Sequence, residues 1–227
     1  MIVASFVAVV VLGYLLGSIP FGVIIGKRMA KADVRQYGSG KTGATNVLRT
    51  AGKKAALAVV ALDILKGVLA VIFARLIIGD GYLVVGNIAL GALLGQCLAA
   101  MAAIAGHNWP VFLRFRGGRG VATFMGGLIA LFPPAAIFGG EMLIIGAGLT
   151  GYASLGSIAA VVGTYAMLVP LTILNGFPIE YLGYTLLGSI LIIVMHRDNI
   201  VRLVTGKERK LGQRAEKLDP SSPTDLE

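Results

Sequence analysis

The chain has 227 residues, 56% of them hydrophobic and only 14% charged, with a formal net charge of +9 and a mean hydropathy of +0.84. Soluble domains carry about a quarter charged residues, so this composition excludes a soluble globular fold and marks an integral membrane protein. The Lys and Arg excess forms no basic stripe with interleaved aromatics, so it fits the cytoplasmic loops of a membrane protein and not a nucleic-acid partner.

The expected fold is all-α, a seven-span helical bundle with its motif loops facing the cytosol. The alternating segments of about 10 residues that a barrel needs are missing. Span one covers 2–26 and ends in Gly17-Ser18-Ile19-Pro20-Phe21-Gly22, where Pro20 marks a kink. It lacks a basic leader and a small-residue cleavage site, and so reads as a permanent span. Residues 27–54 form a loop holding eight Lys or Arg. Span two, 55–78, carries Asp63 and Lys66 at i, i+3. That pair is either functional, as intramembrane ionisable groups often are, or a structural ion pair near the cytoplasmic end.

Gly79-Asp80-Gly81 is a turn without Lys or Arg, and span three covers 82–105. Cys97 lies in that apolar run; as the one cysteine it has no intrachain disulfide partner and reads as a small core residue. A second polar stretch, Gly106 to Thr123, follows. Spans four (119–132), five (135–152) and six (155–174) are separated at Phe132-Pro133-Pro134 and at Gly151 to Ser157, and end at Asn175-Gly176-Phe177-Pro178. Span four is short for a full crossing. Span seven, 179–195, leads into a third polar stretch, His196 to Lys210. Residues 1–212 read as one membrane domain and 213–227 as a flexible cytoplasmic tail, Pro/Ser/Asp-rich and disordered from Asp219. The segments after spans one, three and seven hold nearly all the Lys and Arg. An odd span count places them on one face, which the positive-inside rule makes cytoplasmic. The N-terminus is then outside and the C-terminus inside.

The first motif runs from Asp33 to Arg49. Gly38, Gly40 and Gly43 match a G-x-G-x-x-G pattern, but a membrane span and not a strand precedes it, which excludes a dinucleotide site. Gly40-Lys41-Thr42 imitates a Walker A ending, yet Arg35 stands where its first glycine belongs. The underlying physics still applies: glycines let backbone N–H groups converge on an anion. Ser39, Thr42, Thr45 and Asn46 add neutral donors, and Arg49 adds a planar cation suited to phosphate. The alternative is a flexible basic loop resting on lipid headgroups.

In the second motif, Gly117, Gly118 and Gly120 flank Arg119 just before a span, as close approach to a charged ligand would require. Trp109 reads as an interface aromatic; His107 is either a helix-end cap or a ligand contact. In the third, His196, Asn199 and Leu203 share one helix face if the helix continues, which turns Arg197 and Arg202 away, toward headgroups. Glu208 either orients an arginine or is solvated. Ser154 and Ser157, at the polar break between spans five and six, either reach the site or cap helices. No nucleophile motif and no metal cluster is present in the pattern.

These three motifs, with Gly17 to Gly22, resemble the bacterial acyl-phosphate:glycerol-3-phosphate acyltransferases over most of 1–212. The resemblance implies seven spans and transfer of a fatty acyl group from acyl phosphate to the 1-hydroxyl of glycerol 3-phosphate. It implies no cofactor, membrane lipid as surroundings and no obligatory protein partner. It places Ser39, Arg49 and Arg119 in catalysis and Gly38, Gly40, Thr45, Asn46, His107, Gly118, Ser154, His196, Asn199 and Glu208 in substrate binding. Two departures stand out. Lys41 replaces the family's usual Asn, and Arg116 and Arg119 replace lysines. Arginine keeps the charge but cannot transfer a proton, so Arg119 fits an electrostatic clamp. Transport of an organic phosphate is the competing class; against it, the polar motifs lie at one surface and not at the midplane, and no inverted repeat is visible.

Overall fold

A computed structural model of the chain describes residues 1–86 and 88–218. The apolar segments fold into helices where turn chemistry permits. α1 (Ile2–Ser18) stops at Ile19-Pro20, because proline cannot continue its hydrogen-bond ladder, and α2 (Phe21–Ala30) restarts beyond it. α3 (Ala44–Ile78) begins well before the expected start at 55, inside the first motif. Gly52, at φ 84, breaks it into a short motif helix and a long apolar one. Residues 83–85 and 88–90, expected to open span three, are paired strands instead: β1 (Leu83–Val85) pairs antiparallel with β2 (Ile88–Leu90). The β-branched residues there favour a pleated strand over a helix.

α4 (Ala92–Asn108), α5 (Val121–Leu131), α6 (Pro133–Thr150), α7 (Ala153–Asn175) and α8 (Ile179–Met195) follow, and α9 (Arg197–Val204) leaves α8 at a bend of 62°. The apolar segments are therefore helical in the expected order. Among the described residues, four of them are long and apolar enough to cross a membrane, with α1 and α2 taken together, or five if α8 and α9 make one bent span. α5, with 11 residues, reaches only about 16 Å, against about 30 Å of hydrocarbon.

Small residues set the packing. Gly13 and Gly17 sit against the backbone of Ala99 and Ala103, so α1 and α4 run parallel and close together. Gly81, past the end of α3, meets Ile2, so α3 runs antiparallel to α1. Gly120 packs on Ile104 and Gly127 on Ala100, which makes α5 antiparallel to α4; Met125 then covers Gly139 as α6 turns back. Gly156 rests on Ala147 and Gly163 on Met142, and Ser189 Oγ donates to the Val161 carbonyl, 2.9 Å. This alternation brings the C-terminal ends of α1, α4, α6 and α8 to one end of the bundle, with the N-terminal ends of α3, α5 and α7. All three polar motifs meet there.

Around Phe124, stacked on Tyr184 at 5.3 Å, one apolar core joins α4, α5, α6, α7 and α8. Val23, Val34, Val47 and Val59 form a separate floor under the first motif. Outward faces carry Leu76, Ile144 and Leu149, each at least 70% exposed, as helices surrounded by lipid require.

Candidate active site

Glu208 organises the third motif. Its carboxylate accepts from Ser154 Oγ (3.0 Å), Asn199 Nδ2 (2.7 Å) and Arg202 Nε (2.9 Å). The side chain is almost wholly buried, so these donors replace its water. Arg202 thus faces the site and not the headgroups expected for it, because it stands three residues after Asn199 on α9 and shares Glu208 with it. Glu208 and Ser154 are spent on this hub and are not free ligands.

Two arginines stand beside the hub with unmet capacity. Arg119 makes no hydrogen bond among the described residues, and its Nε is buried without a partner. Burial and the repulsion of Arg202 lower its pKa to about 10, which leaves it cationic at neutral pH. Glu208 and Asp198 hold it partly in check, while Arg49 adds to the repulsion. Arg49 Nε is likewise buried and unpartnered, although its Nη2 donates to the carbonyls of Arg209 (2.9 Å) and Lys210 (3.0 Å). Lys41 is half-buried and within electrostatic reach of Arg119; burial, then that charge, lowers its pKa. Arg116 is exposed. Leaving buried guanidinium N–H groups unpaired is costly, so this cluster has the charge and the free donors to hold an anion.

His196 completes it. Its Nδ1 lies 2.8 Å from the Ile192 carbonyl and so carries the proton, which leaves the Nε2 lone pair free. Burial, then the Arg119 charge, lowers its pKa to about 4. The ring is therefore neutral at neutral pH and a weak base. Asn199 Oδ1 is a second buried acceptor without a partner.

The first motif behaves differently from the sequence expectation. The Gly38 N–H donates to the Glu216 carbonyl, Gly40 to Tyr37, and Ser39 to Asn46 Oδ1. These three N–H groups are therefore not left to converge on an anion. Asn46 Nδ2 donates to the carbonyls of Val34, Tyr37 and Lys41 at 2.8–3.1 Å. Its amide is engaged at both ends, so Asn46 acts as the staple of the loop. Gly38 is required because φ is 58 and a Cβ would fall 2.6 Å from Asn46 Oδ1. The Ser39 hydroxyl and the Thr45 side chain make no hydrogen bond among the described residues, and both residues are half-buried.

His107 is turned inward. Lys66 Nζ lies 2.9 Å from its Nδ1, 2.8 Å from Asp63 Oδ1 and 3.3 Å from the Ile19 carbonyl, in a buried network under Phe21. Gly118 packs directly on His107 Nε2 and donates its N–H to the His107 carbonyl. His107 and Gly118 therefore fix the second loop to α4. The Asp63–Lys66 pair is a structural tie between α3, the α1–α2 break and α4.

Sequence reasoning missed Asn108, whose two amide atoms are buried and unpartnered against Gly120. It also missed the segment after 212. Ala215 donates to the Arg49 carbonyl and Leu218 to that of Gln36, and Lys217 bridges Tyr37. The expected flexible tail is thus pinned through 218; the stretch expected to be disordered from Asp219 lies outside the described residues.

A family model described as glycerol-3-phosphate acyltransferase matches residues 7–206. The chain is 63% identical over 215 residues to glycerol-3-phosphate acyltransferase 3 of Dehalococcoides mccartyi, covering 95% of this chain and 100% of that one. It is 43% identical over 205 residues to glycerol-3-phosphate acyltransferase of Halalkalibacterium halodurans, covering 89% and 94%. Among solved structures it is similar to the crystal structure of PlsY (YgiH), an integral membrane glycerol 3-phosphate acyltransferase, in its glycerol 3-phosphate form. There the TM-score is 0.78 and the identity 36%, over 92% of this chain and 96% of that one. The lysophosphatidic acid form of the same protein gives 0.76 and 35%, over 91% and 95%.

Proposed function

The chain belongs to the glycerol-3-phosphate acyltransferase family and is an integral membrane acyltransferase; we propose that Arg119, with Arg49 and Lys41, forms the phosphate-handling centre of its reaction. The acceptor is glycerol 3-phosphate, bound by the solved relative, and the donor is a fatty acyl phosphate. The 1-hydroxyl oxygen attacks the acyl carbonyl, the bond between carbonyl carbon and phosphate oxygen breaks, and inorganic phosphate leaves with that electron pair. The product is 1-acylglycerol 3-phosphate.

The observation that carries this reading is the pair of buried, unpartnered guanidinium Nε atoms at Arg119 and Arg49. Two phosphates must come together in this reaction, and preorganised cations offset their repulsion and the charge that develops on the leaving group. An acyl phosphate is an activated anhydride, so positioning contributes more than nucleophile activation. His196 Nε2 and Asn199 Oδ1 can accept a hydrogen bond from the glycerol hydroxyl. With a pKa near 4, His196 leaves the proton itself to a substrate phosphate oxygen. Glu208 keeps Ser154, Asn199 and Arg202 in place.

Purified protein given palmitoyl phosphate and glycerol 3-phosphate, without CoA or carrier protein, should release phosphate and 1-palmitoylglycerol 3-phosphate. Equal turnover with palmitoyl-CoA would overturn the donor assignment. We also propose that seven helices cross the membrane with the motif end cytoplasmic. Reporter fusions at Gly81 and Asn175 should then report outside, and one at Lys41 inside; an inside signal at Asn175 would overturn the topology.

A further inference from the structure

Residues 209–218 cross the first motif as a strap that turns once, at 211–212. Leu211 donates to the Gly151 carbonyl at 2.7 Å, which anchors the strap between α6 and α7. Further along, Ala215 donates to the Arg49 carbonyl (3.1 Å), Glu216 accepts from Gly38 (2.9 Å) and Leu218 donates to Gln36 (2.8 Å). The Ala215 and Leu218 side chains lie against Gly38 and Gly40. The strap begins beyond residue 206, where the family match ends.

The strap grips Arg49 twice. Its 209 and 210 carbonyls take both Nη2 N–H groups, and its 215 N–H takes the Arg49 carbonyl. A guanidinium has five N–H donors in a rigid plane. Fixing the Nη2 corner fixes the direction of the others, including the buried and unpartnered Nε. The carbonyls are neutral, so they orient the cation without cancelling its charge, as a carboxylate would.

We propose that residues 209–218 are a positioning strap that aims Arg49 at a substrate phosphate. The inference rests on the function proposed above. Arg49 can meet the phosphate of glycerol 3-phosphate or that of the acyl donor, and the kinetics separate the two.

The test compares full-length protein with a deletion of 219–227, a deletion of 209–227, which removes both carbonyls on Arg49 Nη2, and the substitution Ala215→Pro, which removes a single strap N–H. KM is measured for each substrate in turn. Deleting 219–227 should leave both constants within about twofold. Deleting 209–227 should raise one KM about tenfold, the loss equivalent to one positioned contact of about 1.4 kcal/mol, with kcat nearly unchanged. The substrate whose KM moves is the one Arg49 holds. Ala215→Pro should move the same KM by a smaller factor, and it decides the question if the deletion fails to fold. Unchanged KM values in both variants, or a fall in kcat alone, would overturn the strap's role. If wild-type protein turns over neither substrate, the functional reading fails instead, and the strap is not at issue.

Discussion

Two glycine-rich loops with a cation in or beside them, 38–43 and 117–120, read alike in sequence and do opposite work. In the first, the N–H groups of residues 38, 39 and 40 bond to protein acceptors, and Asn46 holds the loop with its whole amide. In the second, the glycines press the backbone onto His107 and Asn108, and Arg119 stands without a hydrogen-bond partner among the described residues. Gly38, Gly117, Gly118 and Gly120 serve close packing of the chain on itself. The capacity to bind an anion lies in the arginine side chains that this packing positions. An unpaired buried group is the more informative sign of a ligand, since folding alone would have satisfied it.

The sharpest way to break this contrast is Arg119→Ala. Removing one preorganised charge-assisted donor typically costs about 3–4 kcal/mol, or roughly a hundred- to thousandfold in turnover. Arg119→Lys keeps the charge and should retain much more activity. Lysine as inactive as alanine would assign the effect to bidentate geometry, and near-wild-type alanine would remove Arg119 from the site altogether.

Asn46→Ala probes the other loop. It strands the Val34 and Lys41 carbonyls, worth about 1–3 kcal/mol, so the melting temperature should fall by about 3–10 °C at this chain length. A raised KM with unchanged melting would make Asn46 a ligand after all.

His196 ties the contrast to pH. Its pKa in the folded protein, about 4, lies below the ordinary 6.5. Between those values the unfolded chain binds a proton that the folded one does not, so its contribution to stability falls as pH drops from 6.5 toward 4 and is flat above 6.5. His196→Gln should flatten that acid limb in thermal melts; an unchanged limb would show that His196 is not held neutral beside Arg119.

The smallest effect belongs to Gly43→Ala. The residue sits at φ −71 with open space where a Cβ would go. Activity and melting should stay near wild type, within about 0.5 kcal/mol. A large KM defect would restore the view that this loop's backbone approaches an anion.

By itself, the sequence determined the class of fold, the order of the apolar helices and the three polar stretches that meet at one end. Those follow from hydropathy, proline and glycine punctuation and charge asymmetry, which act locally along the chain. It also named Arg49, Arg119, His196 and Asn199, because their chemistry suits phosphate and hydroxyl groups wherever they fold. Tertiary structure alone decided which polar groups are already spent. Asn46 and Glu208 carry the same donors and acceptors as a ligand-binding residue would; only their neighbours, Val34, Tyr37 and Lys41 for one and Ser154, Asn199 and Arg202 for the other, occupy them. The same holds for Arg202, held by Glu208, for His107, held by Lys66 from 41 residues away, and for the strap at 209–218. Hydrogen-bond capacity is a property of residue type, whereas its satisfaction depends on partners far apart in sequence, and only folding brings those together.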